Sequence, residues 1–316
     1  MVLLNANSLN KPRRVVNRSI AAIMMVLLAL VSSGCAGNLS QSFEQSLSIV
    51  APKKIDFAEL EYYAQRSKSA YDPIPDIRKA YPLVTRAVTV QSVDVQYFLE
   101  KDPLNRKQTI SVRGTAAKPN VWEDLEIALI PDSILGIPVH RGFQRDAAAI
   151  YDDVIPYVRK DWPLRITGHS LGAAVAALLA AYFEQQGYTV ERVVTFGQPR
   201  VTTKLPPEYE LPVTTRVVND LDVVPMVPPY TAAKQYQHFA PEVILRDGPE
   251  YVYLNAHDAD RLSIGEFWRN ITDLSVKDHH VDGYLANIQG KVANGSRQVP
   301  YLFRENNESP MVAAVN

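Results

Sequence analysis

Leu164-Arg165-Ile166-Thr167-Gly168-His169-Ser170-Leu171-Gly172-Ala173-Ala174-Val175-Ala176-Ala177-Leu178-Leu179-Ala180 changes character at its midpoint. Before Gly168 the residues suit a short strand over 164–167, and after Ser170 an apolar run predicts a helix over 171–186. Between them Gly168-His169-Ser170-Leu171-Gly172 has the G-x-S-x-G spacing of a strand-to-helix turn that exposes a serine hydroxyl at its tip. Such a turn is so sharp that side chains flanking the serine would strike neighbouring strands, hence the glycines. The helix N-terminus offers free N–H groups to a developing negative charge. Five residues of this kind also occur in ordinary turns, so the strand before and the helix after carry the weight. The run LGAAVAALLAAYF has nearly no polar side chain until Glu184, which calls for burial on most sides, and it is too short for a membrane span.

Working outward, the pattern FAELEYYAQRSKSAY predicts an N-terminal helix over 57–71, closed by Asp72-Pro73. Strand candidates follow at 93–99 and 108–112, joined by the turn residues Lys101-Asp102-Pro103-Leu104-Asn105. An amphipathic helix is expected over 147–159, interrupted by Pro156, and further strands over 189–196 and 214–218. Strands alternating with helices in this order argue for an α/β fold with a mainly parallel central sheet flanked by helices.

The chain of 316 residues is 47% hydrophobic and 21% charged, enough to bury a substantial core. Its net charge of −1 and pI near 6.6 supply no electrostatic footprint for nucleic acid and no broad basic face for anionic lipid. The single cysteine, Cys35, excludes an intramolecular disulfide framework. It follows a basic stretch (Lys11 to Arg18), the apolar run IAAIMMVLLALV (20–31) and Ser32-Ser33-Gly34, the layout of a secretory signal. The cut site resembles a bacterial lipobox, in which the cysteine becomes the lipidated first residue, although Ser32 stands where an aliphatic residue is usual. The reading is a signal peptide with a lipobox-like cysteine over 1–35, a tether over 36–56 and a catalytic domain over 57–316. By resemblance to bacterial lipoprotein sorting, Ala36 after the cysteine points to lipid anchoring at the outer membrane. An ordinary signal peptide, giving a secreted or periplasmic protein, is the alternative.

GHSLGAAVAALLA (168–180) resembles the serine turn and following helix of the lipase class 3 family of α/β-hydrolases, and other segments match in the family's order. Ser111-Val112-Arg113-Gly114-Thr115 is similar to a family strand end bearing Arg-Gly-Ser/Thr, and Asn120-Val121-Trp122 to the start of the family lid. Val139-His140-Arg141-Gly142-Phe143 and Thr195-Phe196-Gly197-Gln198-Pro199-Arg200-Val201 match further segments, so that the likeness runs from about Phe57 to Leu285. Alternation at Leu125, Ile127 and Leu129 suggests that part of the lid region is strand, leaving only a short lid-like segment.

The resemblance implies a Ser-Asp-His triad with Ser170 as nucleophile. Asp222, in Asp222-Val223-Val224-Pro225-Met226-Val227-Pro228-Pro229, fits the family's acid segment, with Asp220 as its rival. The base follows the acid in such chains, which leaves His238, His257, His279 and His280 and excludes His140 and His169. Asp278-His279-His280-Val281-Asp282-Gly283-Tyr284 resembles the family's histidine segment and selects His279, with His280 the alternative. The backbone N–H groups of Leu171 and Thr115 are the implied oxyanion donors, while His140 reads as structural. No cofactor and no metal are implied.

The expected activity is hydrolysis of lipid carboxylic esters, as by a triacylglycerol lipase. A phospholipase, short-chain esterase or acyltransferase would use the same triad. A non-catalytic envelope lipoprotein would have no need of the triad and Thr115. Oligomeric state is not legible.

Overall fold

In the computed structural model, residues 54–114, 128–203, 213–220, 222–231, 233–262 and 277–301 are described. The signal segment with Cys35, the tether up to residue 53, Thr115, and Trp122, Leu125 and Ile127 lie outside them.

Helix α1 (Phe57–Ser69) starts where Asp56 accepts hydrogen bonds from the N–H groups of Ala58 and Glu59, a cap of about 1 kcal/mol. Phe57, Leu60, Tyr63, Ala64 and Ser67 form its buried stripe. The helix ends two residues earlier than the sequence pattern suggests, which leaves Tyr71 in the connection to α2 (Ile74–Ala80).

Among the described residues, nine strands form the main sheet. β1 (Val84–Val90), β2 (Val95–Asp102) and β3 (Lys107–Val112) run antiparallel. β3 then pairs in parallel with β6 (Leu164–His169), β6 with β7 (Val190–Phe196), β7 with β8 (Thr214–Asn219) and β8 with β9 (Glu242–Leu245). β10 (Glu250–Leu254) returns antiparallel and β11 (Arg297–Gln298) closes the edge. The sheet centre is thus parallel, as the alternation of elements predicts, with antiparallel flanks. A separate hairpin joins β4 (Leu129–Pro131) to β5 (Pro138–His140). Its turn residue Asp132 accepts from the N–H groups of Ile134 and Leu135 and from the Tyr182 hydroxyl, which ties the hairpin to the helix after Ser170.

Among the described residues, alternate strand residues build the two largest hydrophobic clusters. Ile110, Val112, Leu164, Ile166 and Val193 pack with α3 (Arg141–Val154) and α4 (Leu171–Gln185). Val194, Phe196, Val217, Val243 and Leu245 pack with α1 and with α5 (Val281–Asn294). α4 is buried from Gly172 to Phe183, which accounts for its lack of polar side chains. α3 begins six residues before its expected start, because the His140 ring accepts from the Phe143 N–H and caps it; Pro156 falls in the short 3-10 turn after it. His140 is therefore a structural cap, and burial pulls its imidazole down to about 4.

Candidate active site

The C-terminal ends of the parallel strands are where open α/β sheets form their binding crevices, and Ser170 follows β6 and Asp222 follows β8 at those ends. Ser170 sits between β6 and α4 with φ 62° and ψ −130°, a conformation that costs an L-residue of order 1–3 kcal/mol. Its N–H donates to the Phe196 carbonyl at 2.9 Å, holding the turn to the neighbouring strand end. Both motif glycines are forced by close approach. A Cβ on Gly168 would lie 2.3 Å from the Gly172 carbonyl oxygen, and one on Gly172 would lie 2.4 Å from that of Val112. Leu171 opens α4, so its N–H belongs to the first turn, which has no intrahelical acceptor. The end of β3 approaches the same turn: a Cβ on Gly114 would stand 2.9 Å from Cβ of Ser170. Thr115, the next residue in the chain, lies outside the described residues.

Asp222 follows β8 and is fully buried. Its Oδ1 accepts from the Val224 N–H at 2.8 Å, and its Oδ2 accepts from His279 Nδ1 at 2.7 Å and from the Tyr284 hydroxyl at 2.5 Å. An ionised carboxylate can only accept, so Nδ1 of His279 carries a proton and Nε2 is left with the lone pair that a base requires. That tautomer is assigned from its partners. Three features hold His279 in this place. Asn219 Nδ2 donates to the Asp278 carbonyl at 3.1 Å, and His169 Nε2 donates to the His279 carbonyl at 2.7 Å. Gly197, at φ +58°, leaves room: a Cβ there would lie 2.8 Å from His279 Cε1 and 2.9 Å from Asp222 Oδ2.

The Phe196-to-Val201 segment thus has a visible physical task. Beyond Gly197, Arg200 donates to the carbonyls of Met226 at 2.5 Å and Pro228 at 3.1 Å, and so fixes the loop that begins at Asp222.

The rival residues stand elsewhere. Asp220 forms an ion pair with Arg246. His280 is exposed at the start of α5. His238 is buried and donates from Nε2 to the Pro225 carbonyl at 2.6 Å; burial, with Arg216 and Arg200 nearby, drives its pKa far below the ordinary value. His257 is exposed beside Asp258. Tyr284 and His169 bond to the Asp222 carboxylate and the His279 carbonyl, respectively, and Tyr71 reaches the His169 ring, contacts to which the sequence motifs assign no task. An aspartate-histidine pair with a tyrosine one turn later was the available signal for Tyr284.

The sequence profile of the family described as Lipase (class 3) matches residues 109–232, a stretch that holds Ser170 and Asp222 and stops before His279. Secreted mono- and diacylglycerol lipase 1 of Fusarium solani is 25% identical over 264 residues, covering 72% of this chain and 77% of that protein. A lipase of Rhizomucor miehei is 24% identical over 265 residues, covering 74% and 70%. Among solved structures, a triacylglycerol lipase whose catalytic centre is formed by a serine protease triad is similar in fold. Its TM-score is 0.54 at 24% identity, over 72% of this chain and 94% of that one.

Proposed function

The chain belongs to the class 3 lipase family of α/β-hydrolases, and from that membership we propose that it hydrolyses lipid esters with Ser170 as nucleophile, His279 as base and Asp222 as acid. The observation that carries the reading is the 2.7 Å contact of His279 Nδ1 with a buried Asp222, together with a serine held at positive φ at a helix N-terminus, whose chain neighbour His169 bonds the His279 carbonyl at 2.7 Å.

In the proposed reaction, His279 Nε2 takes the Ser170 hydroxyl proton as Oγ bonds to the ester carbonyl carbon, whose π electrons move onto its oxygen. Asp222 stabilises the imidazolium, and the N–H groups of Leu171 and Thr115 receive the oxyanion; one such donor is typically worth about 10²–10³ in rate. Collapse breaks the bond to the alkoxide, which leaves with the proton from His279. Water, deprotonated by the same imidazole, then releases the fatty acid and restores Ser170.

Acylglycerols are the proposed substrate class, supported by the likeness to the mono- and diacylglycerol lipase of Fusarium solani. The test uses the full chain in detergent against triacylglycerol emulsion, phospholipid vesicles and p-nitrophenyl esters of increasing chain length. Release of fatty acid from triacylglycerol is expected. Cleavage of phospholipid alone, or of short esters alone, would replace this reading by a phospholipase or an esterase.

Export with lipid attachment at Cys35 is the proposed location. The basic and apolar pattern of residues 11–35 supports it, and two or more acyl chains at about 0.8 kcal/mol per buried CH₂ are enough for stable anchoring. In a Gram-negative host, wild-type protein is expected to take up radiolabelled palmitate and to fractionate with the outer membrane, and Cys35→Ser to do neither. Unlabelled wild-type protein, wholly soluble in the periplasm, would overturn the anchor.

A further inference from the structure

We propose that Tyr71 is a positioning residue of the hydrolytic site, acting through His169 to hold the loop that carries His279; the proposal rests on the triad reading above. Tyr71 lies in the connection after α1, outside the residues matched by the family profile. That connection is clamped from β2: Gln96 Nε2 donates to the carbonyls of Ala70 and Asp72, each at 2.8 Å, on either side of Tyr71. The Tyr71 hydroxyl lies 2.8 Å from His169 Nδ1, and the opposite nitrogen of that ring lies 2.7 Å from the His279 carbonyl oxygen. The phenol oxygen also stands where a Cβ on Gly114 would come within 2.3 Å of it, at the strand end that leads to Thr115. One hydroxyl therefore adjoins the oxyanion strand, the serine turn and, through one imidazole, the base.

The chain of donors can run in one direction only. The His279 carbonyl accepts and cannot donate, so His169 Nε2 carries the proton of that bond. Burial, reinforced by His279, keeps the His169 pKa far below its ordinary value, so the ring is neutral and Nδ1 has a lone pair. Only an O–H or N–H donor satisfies that lone pair, and Tyr71 supplies it; burial raises the phenol's pKa, so the proton stays on oxygen. Without the hydroxyl, the Nδ1 lone pair loses the donor that meets it among the described residues, and the His279 carbonyl alone is left to select this tautomer. The alternative tautomer would turn a nitrogen lone pair toward the His279 carbonyl, and that repulsion would loosen the base loop.

The test is a cycle of Tyr71→Phe and His169→Gln in the full chain. Glutamine reaches with its own N–H toward the His279 carbonyl and has no tautomer to select. Tyr71→Phe is expected to lower kcat about ten-fold, the scale of one hydrogen bond, with KM unchanged. In the His169→Gln background it is expected to change kcat less than about two-fold, because the coupling is lost with the imidazole. Equal losses in both backgrounds, a change confined to KM, or no loss in the wild-type background would overturn the proposal. If His169→Gln proves inactive, the ¹⁵N resonances of His169 decide: a single Nε2–H tautomer is expected in wild type and a mixture in Tyr71→Phe, and identical spectra would overturn it. Wild-type protein without esterase activity would instead overturn the functional reading. Wild-type activity indifferent to Tyr71→Phe would sink this proposal alone.

Discussion

Ser170→Ala is expected to lower ester turnover by on the order of 10⁶, the scale set by loss of the nucleophile in a serine protease. The effect belongs to chemistry and not to folding. The Ser170 side chain makes no capping hydrogen bond to α4, although it stands at the cap position. Its hydroxyl contributes nothing there that alanine would remove, and the thermal melt should be unchanged. Positive φ at position 170 is imposed by the turn and is the same burden for alanine as for serine. Turnover within about a hundred-fold of wild type in a folded variant would mean that another group attacks the ester.

His279→Ala is expected to be nearly as severe as loss of the serine, and Asp222→Asn to cost on the order of 10⁴. Asparagine fills the same space and keeps an oxygen for the Val224 N–H, yet it can turn an N–H toward His279 Nδ1. The ring then favours the tautomer with its proton on Nε2, which is useless as a base. His280→Ala should keep most of the activity, since that residue is exposed at the start of α5. Asp220→Ala should also remain active, at some loss of stability from its pair with Arg246. Steady-state kinetics on melt-checked variants test the set. If His280→Ala were dead and His279→Ala active, the register of this segment would be wrong by one residue.

Much of this arrangement was legible because its signals are local. Gly168, Ser170 and Gly172 mark a turn whose backbone admits few alternatives, and the apolar helix behind them leaves α4 little choice but burial. The parallel centre of the sheet followed from strand and helix alternation. What escaped depends on partners distant in sequence. The start of α3 was misplaced because its cap is an imidazole, His140, and not one of the usual capping residues. β1 is a half-exposed edge strand whose alternation is partly polar, while β9 and β10 flank Asp247-Gly248, a hairpin signal outside the strands predicted above. Tyr71 gives no local sign of its position: it meets His169 across 98 residues of chain, and the packing of α1 against the sheet and the Gln96 clamp from β2 bring them together.

The central claim is that Ser170 attacks the substrate, and the most direct measurement is to find where a mechanism-based reagent attaches. The full chain, treated with one equivalent of an alkyl fluorophosphonate, should gain a single adduct as activity falls to zero, and peptide mapping should place it on Ser170. An adduct on any other residue with activity lost, or activity lost with no adduct on Ser170, would contradict the account.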